Sequence, residues 1–242
     1  MAASTVCWPT MPSAPIPPPP ELVVSDLAGT TVYDRGEVPA AFADALREAA
    51  VPFDPAEISA WRGASKREVI GRLLGRDGAP ADAVAERLPR LYGRFHALLA
   101  ERLARAAPAS LPGVGEAFAR LRAGGIRIAL TTGFDRGLVE QLLAAVDWAD
   151  LVEAWVCSDD VLLGRPAPDM IVLAMHRCAV MDAGRVAVVG DTRLDLEAAR
   201  NAGARWCIGV LTGAHDRAAL AAAPHTHLLD SVRDLPSLWF RD

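Results

Sequence analysis

Apolar positions fall into short, nearly unbroken runs that end on polar or small residues. Leu22-Val23-Val24 stops at Ser25-Asp26-Leu27-Ala28-Gly29-Thr30-Thr31. Residues 126–130 run into Thr131-Thr132-Gly133, residues 154–157 into Ser158-Asp159-Asp160, and residues 186–189 into Gly190-Asp191-Thr192. A last run, 206–211, follows Gly203. Runs this short, closed by turn-forming residues, read as buried strands. Between them, at 114–123, 136–145, 169–178 and 194–202, apolar residues recur at helical spacing. Strands alternating with helices predict an α/β fold, a doubly wound parallel sheet with helices on both faces. Ligands of such sheets bind beyond the carboxyl ends of the strands.

The stretch from 35 to 107 breaks the alternation. It carries helical spacing at 40–50, 55–61, 66–74 and 81–106, with an interruption expected at Pro89. A helical insert after the first strand predicts a cap domain at 35–107 over a core formed by 21–34 and 108–242. Residues 1–20 hold seven of the eighteen prolines, a composition that favours polyproline II and cannot pack a core, so a disordered tail is expected there. The tail lacks a basic segment followed by a continuous apolar one, and is not read as a signal peptide.

Composition narrows the function classes. With 52% hydrophobic and 23% charged residues the chain is globular rather than disordered. No apolar run approaches membrane-spanning length. A net charge of −5 provides no field to hold nucleic acid. Cys7, Cys157, Cys178 and Cys207 are scattered without paired spacing, so reduced thiols in a cytoplasmic protein are expected rather than a zinc site or disulfides. His225-Thr226-His227 spaces two imidazoles for a metal, but without a third ligand it reads as a surface loop.

The strand ends carry the candidate chemistry. Asp26, Thr132, Arg165, Asp191 and Asp195 would arrive at one edge of the sheet. Carboxylates from different strands suit Mg²⁺, which keeps several waters and takes further ligands from a phosphate. Arg165 and a threonine hydroxyl can hold phosphate oxygens, and Gly29 and Gly133 let backbone N–H groups approach them. A single strand-end aspartate is more often a helix cap or turn residue; the ordered set carries the argument. One further count stands out: of 25 basic residues, 24 are arginine, and Lys66 is the only lysine.

On these motifs, over 21 to about 215, the chain resembles the haloacid dehalogenase superfamily of phosphotransferases. The resemblance implies that Asp26, heading Asp26-Leu27-Ala28-Gly29-Thr30, is a covalent nucleophile. It implies that Thr131-Thr132-Gly133 is a phosphate-binding turn, with Gly29, Thr30 and Arg165 also on the phosphoryl group. Gly190-Asp191-Thr192-x-x-Asp195 corresponds to the Mg²⁺ motif, so Asp26, Asp191, Asp195 and the Ala28 carbonyl are the implied metal ligands. Phosphatases of the superfamily place a second aspartate two residues after the nucleophile, as the acid that protonates the leaving group. Here that residue is Ala28, whose methyl group delivers no proton.

The branch most similar in these features is phosphonatase. It shares Asp-x-Ala-Gly-Thr, the Thr131 to Phe134 turn, the Arg165-Pro-x-Pro-x-Met170 pattern, and Asn201-Ala202-Gly203 with Trp206. In that branch a cap lysine forms a Schiff base with the substrate aldehyde, and the corresponding residue is Lys66 in Gly63-Ala64-Ser65-Lys66. Burial, Arg62 and Arg67 are expected to lower its pKa. The chain departs from the branch at Arg62, in place of a methionine, and at Val69, in place of a histidine. The implied function is Mg²⁺-dependent C–P bond hydrolysis of a small organophosphorus substrate through an aspartyl phosphate. No nucleic acid or membrane partner is expected, and a homodimer through the cap is. Phosphatase action on a small phosphomonoester and non-catalytic binding of a phospho-ligand remain as alternatives.

Overall fold

The computed structural model describes residues 18–240 apart from 107, 108, 135, 147 and 149, so the expected disorder of the tail lies, for its first seventeen residues, outside the described residues. Six parallel strands form one sheet in the order β3-β2-β1-β4-β5-β6. They are β1 (Leu22–Asp26), β2 (Arg127–Thr132), β3 (Ala154–Cys157), β4 (Val186–Gly190), β5 (Trp206–Val210) and β6 (His227–Leu229).

Strands β1, β2, β4 and β5 are buried almost throughout, and their two-residue period divides each between two cores. Val23, Ile128, Leu130, Ala187 and Val189 face one core. Leu22, Val24, Ala129, Val186 and Val188 face the other. On the second face lie α7 (Asp169–Arg177), α8 (Arg193–Asn201) and α9 (Arg217–Ala221). The first face is covered by α5 (Val114–Ala123), α6 (Arg136–Val146) and a 3₁₀ segment at Val232–Leu238 that packs on α5.

Four helices intervene between β1 and α5: α1 (Glu37–Glu48), α2 (Pro55–Ala60), α3 (Lys66–Gly75) and α4 (Ala81–Ala106). The long α4 packs against both α1 and α3. Phe42 of α1 meets Phe95 of α4 edge-on, with ring centroids 5.5 Å apart, and Leu46, Ile70 and Leu99 are buried beside them.

Two expectations are corrected. α4 runs unbroken through Pro89. An interior proline removes a backbone bond and crowds the preceding turn, at a cost of about 3 kcal/mol; the buried face of Leu91, Phe95 and Leu99 offsets it. The expected surface loop at His225–His227 is corrected at its last residue only: His225 and Thr226 are exposed loop, and His227 opens β6, an edge strand only half buried and too short to show an alternation. Among the described residues no helix is long and apolar enough to cross a membrane, and Cys157, Cys178 and Cys207 are free and buried.

Candidate active site

The strand order reverses at β1, because the chain runs outward through β2 and β3 and then returns to place β4 on the other side. Register pairs Asp26 with Thr131 and Ser25 with Val189, so the ends of β1, β2 and β4 lie side by side. Above them the cap encloses a cavity of about 60 Å³, which Asp26, Ala28, Thr132, Gly133, Arg165 and Asp191 line from below. Lys66, the first residue of α3, lines it from the cap.

Arg165 organises the core side. One terminal nitrogen lies 2.7 Å from Asp26 Oδ1 and 2.7 Å from Asp195 Oδ1. The other donates to the Thr131 hydroxyl at 2.9 Å and to the Thr131 carbonyl at 3.1 Å. Asp195 Oδ2 accepts from the Thr192 amide at 3.0 Å and its hydroxyl at 2.6 Å, which caps α8. Asp191 accepts from the Thr30 hydroxyl at 3.0 Å and the Ala214 amide at 2.5 Å.

Two carboxylates, Asp26 and Asp195, meet one guanidinium, and the charge of Asp191 acts on it from farther away. Burial pushes Asp26 up to about 8, with Arg165 opposing and Asp195 and Asp191 adding to the rise. Burial and then Asp195 raise Asp191 to about 6. Against the burial that opposes its charge, Asp195 and Asp26 hold Arg165 above its ordinary value. Buried carboxylates short of positive charge form a donor set suited to a hard divalent cation. Among the described residues no cluster of three or more His, Cys, Asp or Glu side chains has metal-binding spacing. Of the carboxylates expected to hold the metal, Asp26 and Asp191 line the cavity, while Asp195 is engaged with Arg165 and Thr192.

Lys66 is the counterpart on the cap side. Its Nζ donates to the Ala64 carbonyl at 3.1 Å and the Trp61 carbonyl at 3.3 Å, and lies 5.8 Å from the centre of the Phe42 ring. Burial first and Arg62 second push the amine down to about 8, with Asp34 opposing. The expected help from Arg67 is absent, since that guanidinium lies over the Tyr92 ring at 5.8 Å.

The remaining predicted residues stand behind the cavity wall. The Gly29 amide donates to the Val32 carbonyl at 2.8 Å, and the Thr30 and Thr131 side chains are engaged with Asp191 and Arg165. Asp195 holds Arg165 and the start of α8. Two features escaped the sequence reading. Asp34 pairs with Arg62 at 2.6 Å in the cavity wall. Gly63 has φ +84, and a Cβ there would fall 2.5 Å from the Thr192 hydroxyl, so the cap backbone rests directly on the core. No local pattern announces either, because each joins residues distant in sequence.

Known proteins are similar to this chain in sequence and in fold. The family described as haloacid dehalogenase-like hydrolase matches residues 20–203. A probable phosphatase of Dickeya dadantii is 32% identical over 216 residues, 88% of this chain and 91% of that protein. A phosphonoacetaldehyde hydrolase of Hahella chejuensis is also 32% identical, over 209 residues, 82% of this chain and 70% of that protein. The crystal structure of a phosphonoacetaldehyde hydrolase like protein from Oleispira antarctica superposes with a TM-score of 0.77 at 26% identity, covering 95% of each chain.

Proposed function

The chain belongs to the haloacid dehalogenase-like hydrolases, and from that premise we propose that it cleaves the carbon–phosphorus bond of a phosphonoacetaldehyde-like substrate, with helices α1–α4 as its cap. One observation carries the reading. The only lysine of the chain lines the same cavity as Asp26 and Arg165, with its amine pushed down to about 8. A neutral amine has two N–H bonds and a lone pair. The Ala64 and Trp61 carbonyls take the two hydrogens, and those contacts leave the lone pair free for a carbonyl carbon.

Asp26, Asp191 and the Ala28 carbonyl would hold Mg²⁺, with Asp195 behind them, and the ion when bound supplies positive charge against the phosphoryl oxygens. Neutral Lys66 condenses with the aldehyde, releasing water, and the product takes up a proton from solvent to become an iminium. The Asp26 carboxylate, a form that Arg165 at 2.7 Å favours against the burial that raises its pKa, attacks phosphorus in line. The C–P bond breaks and its electron pair enters the iminium, giving an enamine on Lys66 and an aspartyl phosphate on Asp26. Arg165 neutralises charge on the transferring group. One water releases phosphate from Asp26. The enamine takes up a proton at carbon, and a second water frees acetaldehyde and Lys66. The sum is phosphonoacetaldehyde plus water giving acetaldehyde plus phosphate.

Two oddities of the sequence then share one explanation. Ala28 needs no acid function, because the iminium and not a proton accepts the leaving electrons. Lysine cannot be arginine, because a guanidinium stays protonated and is a poor nucleophile. A small phosphomonoester is the second reading, supported by the equal identity to the probable phosphatase. Incubation with phosphonoacetaldehyde and Mg²⁺, with acetaldehyde and phosphate assayed beside a panel of phosphomonoesters, separates the two. Acetaldehyde release is expected; phosphate from an ester with none from the aldehyde would reject C–P cleavage.

A further inference from the structure

Ser65-Lys66-Arg67-Glu68 has the form of a capping box, in which the glutamate ordinarily turns back to the amide of its own cap residue. Half of that box is present, since the Ser65 hydroxyl accepts from the Glu68 amide at 3.4 Å. Glu68 Oε1 goes elsewhere. It accepts from the amide of Gly164 at 2.6 Å, a bond from the cap to the loop after β3, between residues 96 apart in sequence. The approach is close enough to exclude any side chain at 164: a Cβ there would fall 2.7 Å from Ser65 Cβ and 3.0 Å from Glu68 Oε1.

What the bond joins gives it meaning. Ser65 precedes Lys66, and Gly164 precedes Arg165. A charge-assisted hydrogen bond therefore ties the backbone that carries the cap amine to the backbone that carries the core guanidinium. Two other polar contacts between cap and core among the described residues lie elsewhere: Tyr92 reaches Ser158 at 3.4 Å and Asp159 at 3.3 Å from the middle of α4, and Arg62 meets Asp34 at 2.6 Å near the segment leaving β1.

We infer that Glu68 is a positioning residue, which sets Lys66 and Arg165 in one frame so that both reach the same substrate when the cap is closed. The inference rests on the reading that these two side chains act on one molecule, and it holds for a phosphonate or an ester. Its effect belongs in kcat more than in KM, because misplacing a reacting group by about 1 Å costs about a hundredfold in rate.

Glu68→Ala and Glu68→Gln test it on whichever of phosphonoacetaldehyde or the phosphomonoester panel the wild-type enzyme turns over, with hydrogen exchange at the Gly164 amide read by NMR. Glu68→Ala is expected to speed that exchange about tenfold or more while the amides of β1 and β4 keep their protection. It should also lower kcat by about ten- to a hundredfold with KM little changed. Glu68→Gln keeps the acceptor oxygen and should recover most of the rate. Faster exchange at Gly164 with an unchanged kcat would overturn the inference, as would a Gln variant as slow as the Ala one, which would mean that the carboxylate acts chemically. Failure of the C–P reading shows instead in the wild-type enzyme, as absence of acetaldehyde, and leaves the comparison among variants intact.

Discussion

The two walls of the cavity are built differently. On the core side Asp26, Arg165, Asp195 and Thr131 are all buried, and each is bonded to another member of the set. On the cap side a half-buried lysine rests on two loop carbonyls and an aromatic ring, beside one ion pair. An interlocked network of buried charges tolerates little change, since removing one member leaves the others unpaired in low dielectric. The cap contacts are fewer and can be exchanged singly. A probable phosphatase and a phosphonoacetaldehyde hydrolase both stand at 32% identity to this chain. Under the proposed reading, the core wall handles phosphorus and the cap wall decides what departs from it.

The largest effects should come from the core wall and should ignore the substrate. Asp26→Asn keeps the shape of the side chain but removes the nucleophilic oxygen. Turnover of phosphonoacetaldehyde and of any ester should fall together, by about a thousandfold or more, with the circular dichroism spectrum unchanged. Stripping divalent ions with EDTA should likewise silence both substrates, Mg²⁺ should restore them, and Asp191→Ala should not be restored. A variant at Asp26 that keeps near wild-type rate would mean that water attacks phosphorus directly.

The next effect should split the substrates. Lys66→Arg and Lys66→Ala should both abolish acetaldehyde release, because charge without a nucleophilic amine cannot drain electrons from the C–P bond. Ester hydrolysis, if present, should survive better in the arginine variant, since a guanidinium binds phosphate well. Borohydride added during turnover should inactivate the wild-type enzyme and place its mass on the peptide of the only lysine. An active Lys66→Arg enzyme with no adduct would turn the cap wall into a phosphate anchor and favour the ester.

The contrast also governs what could be read before the fold was known. Strand ends are local patterns: Leu22-Val23-Val24 before Asp26, or Val186 to Val189 before Asp191, announce both a buried strand and the residue at its tip. The core wall was legible for that reason, although the placement of Gly29, Thr30, Thr131 and Asp195 behind the cavity depends on hydrogen bonds that no motif encodes. Lys66 was visible only through its solitude and its resemblance to a motif. The Asp34–Arg62 pair and the Glu68–Gly164 bond join segments 28 and 96 residues apart, where periodicity is silent. Pro89 failed for the opposite reason, as a local signal overruled by packing, and β6, three residues long, is too short for periodicity to register.

The smallest effect tests the cap wall by charge alone. Lys66 faces Arg62, Asp34 and Arg165, with the Phe42 ring and two carbonyls completing its surroundings. If it works as a neutral amine, kcat/KM for phosphonoacetaldehyde should rise with pH through its titration near 8, a range in which the Asp26 carboxylate forms as well, and level off above it; the part that belongs to Lys66 is the part that moves with the charges around the amine. Arg62→Met removes a repelling cation and releases Asp34 from its ion pair. Both changes favour the ammonium, so the rising limb should move to higher pH, and the rate near neutrality should fall while the plateau stays. The shift should be modest, because burial, the first cause of the depression, remains. Ester hydrolysis, which needs no neutral amine, should keep its own profile. Rate profiles between about pH 6 and 10 read both limbs. A limb that does not move would place the Arg62 charge outside the reach of the amine. A rate that falls through this range would make the ammonium the working form, and Lys66 would then steady phosphate rather than form an iminium.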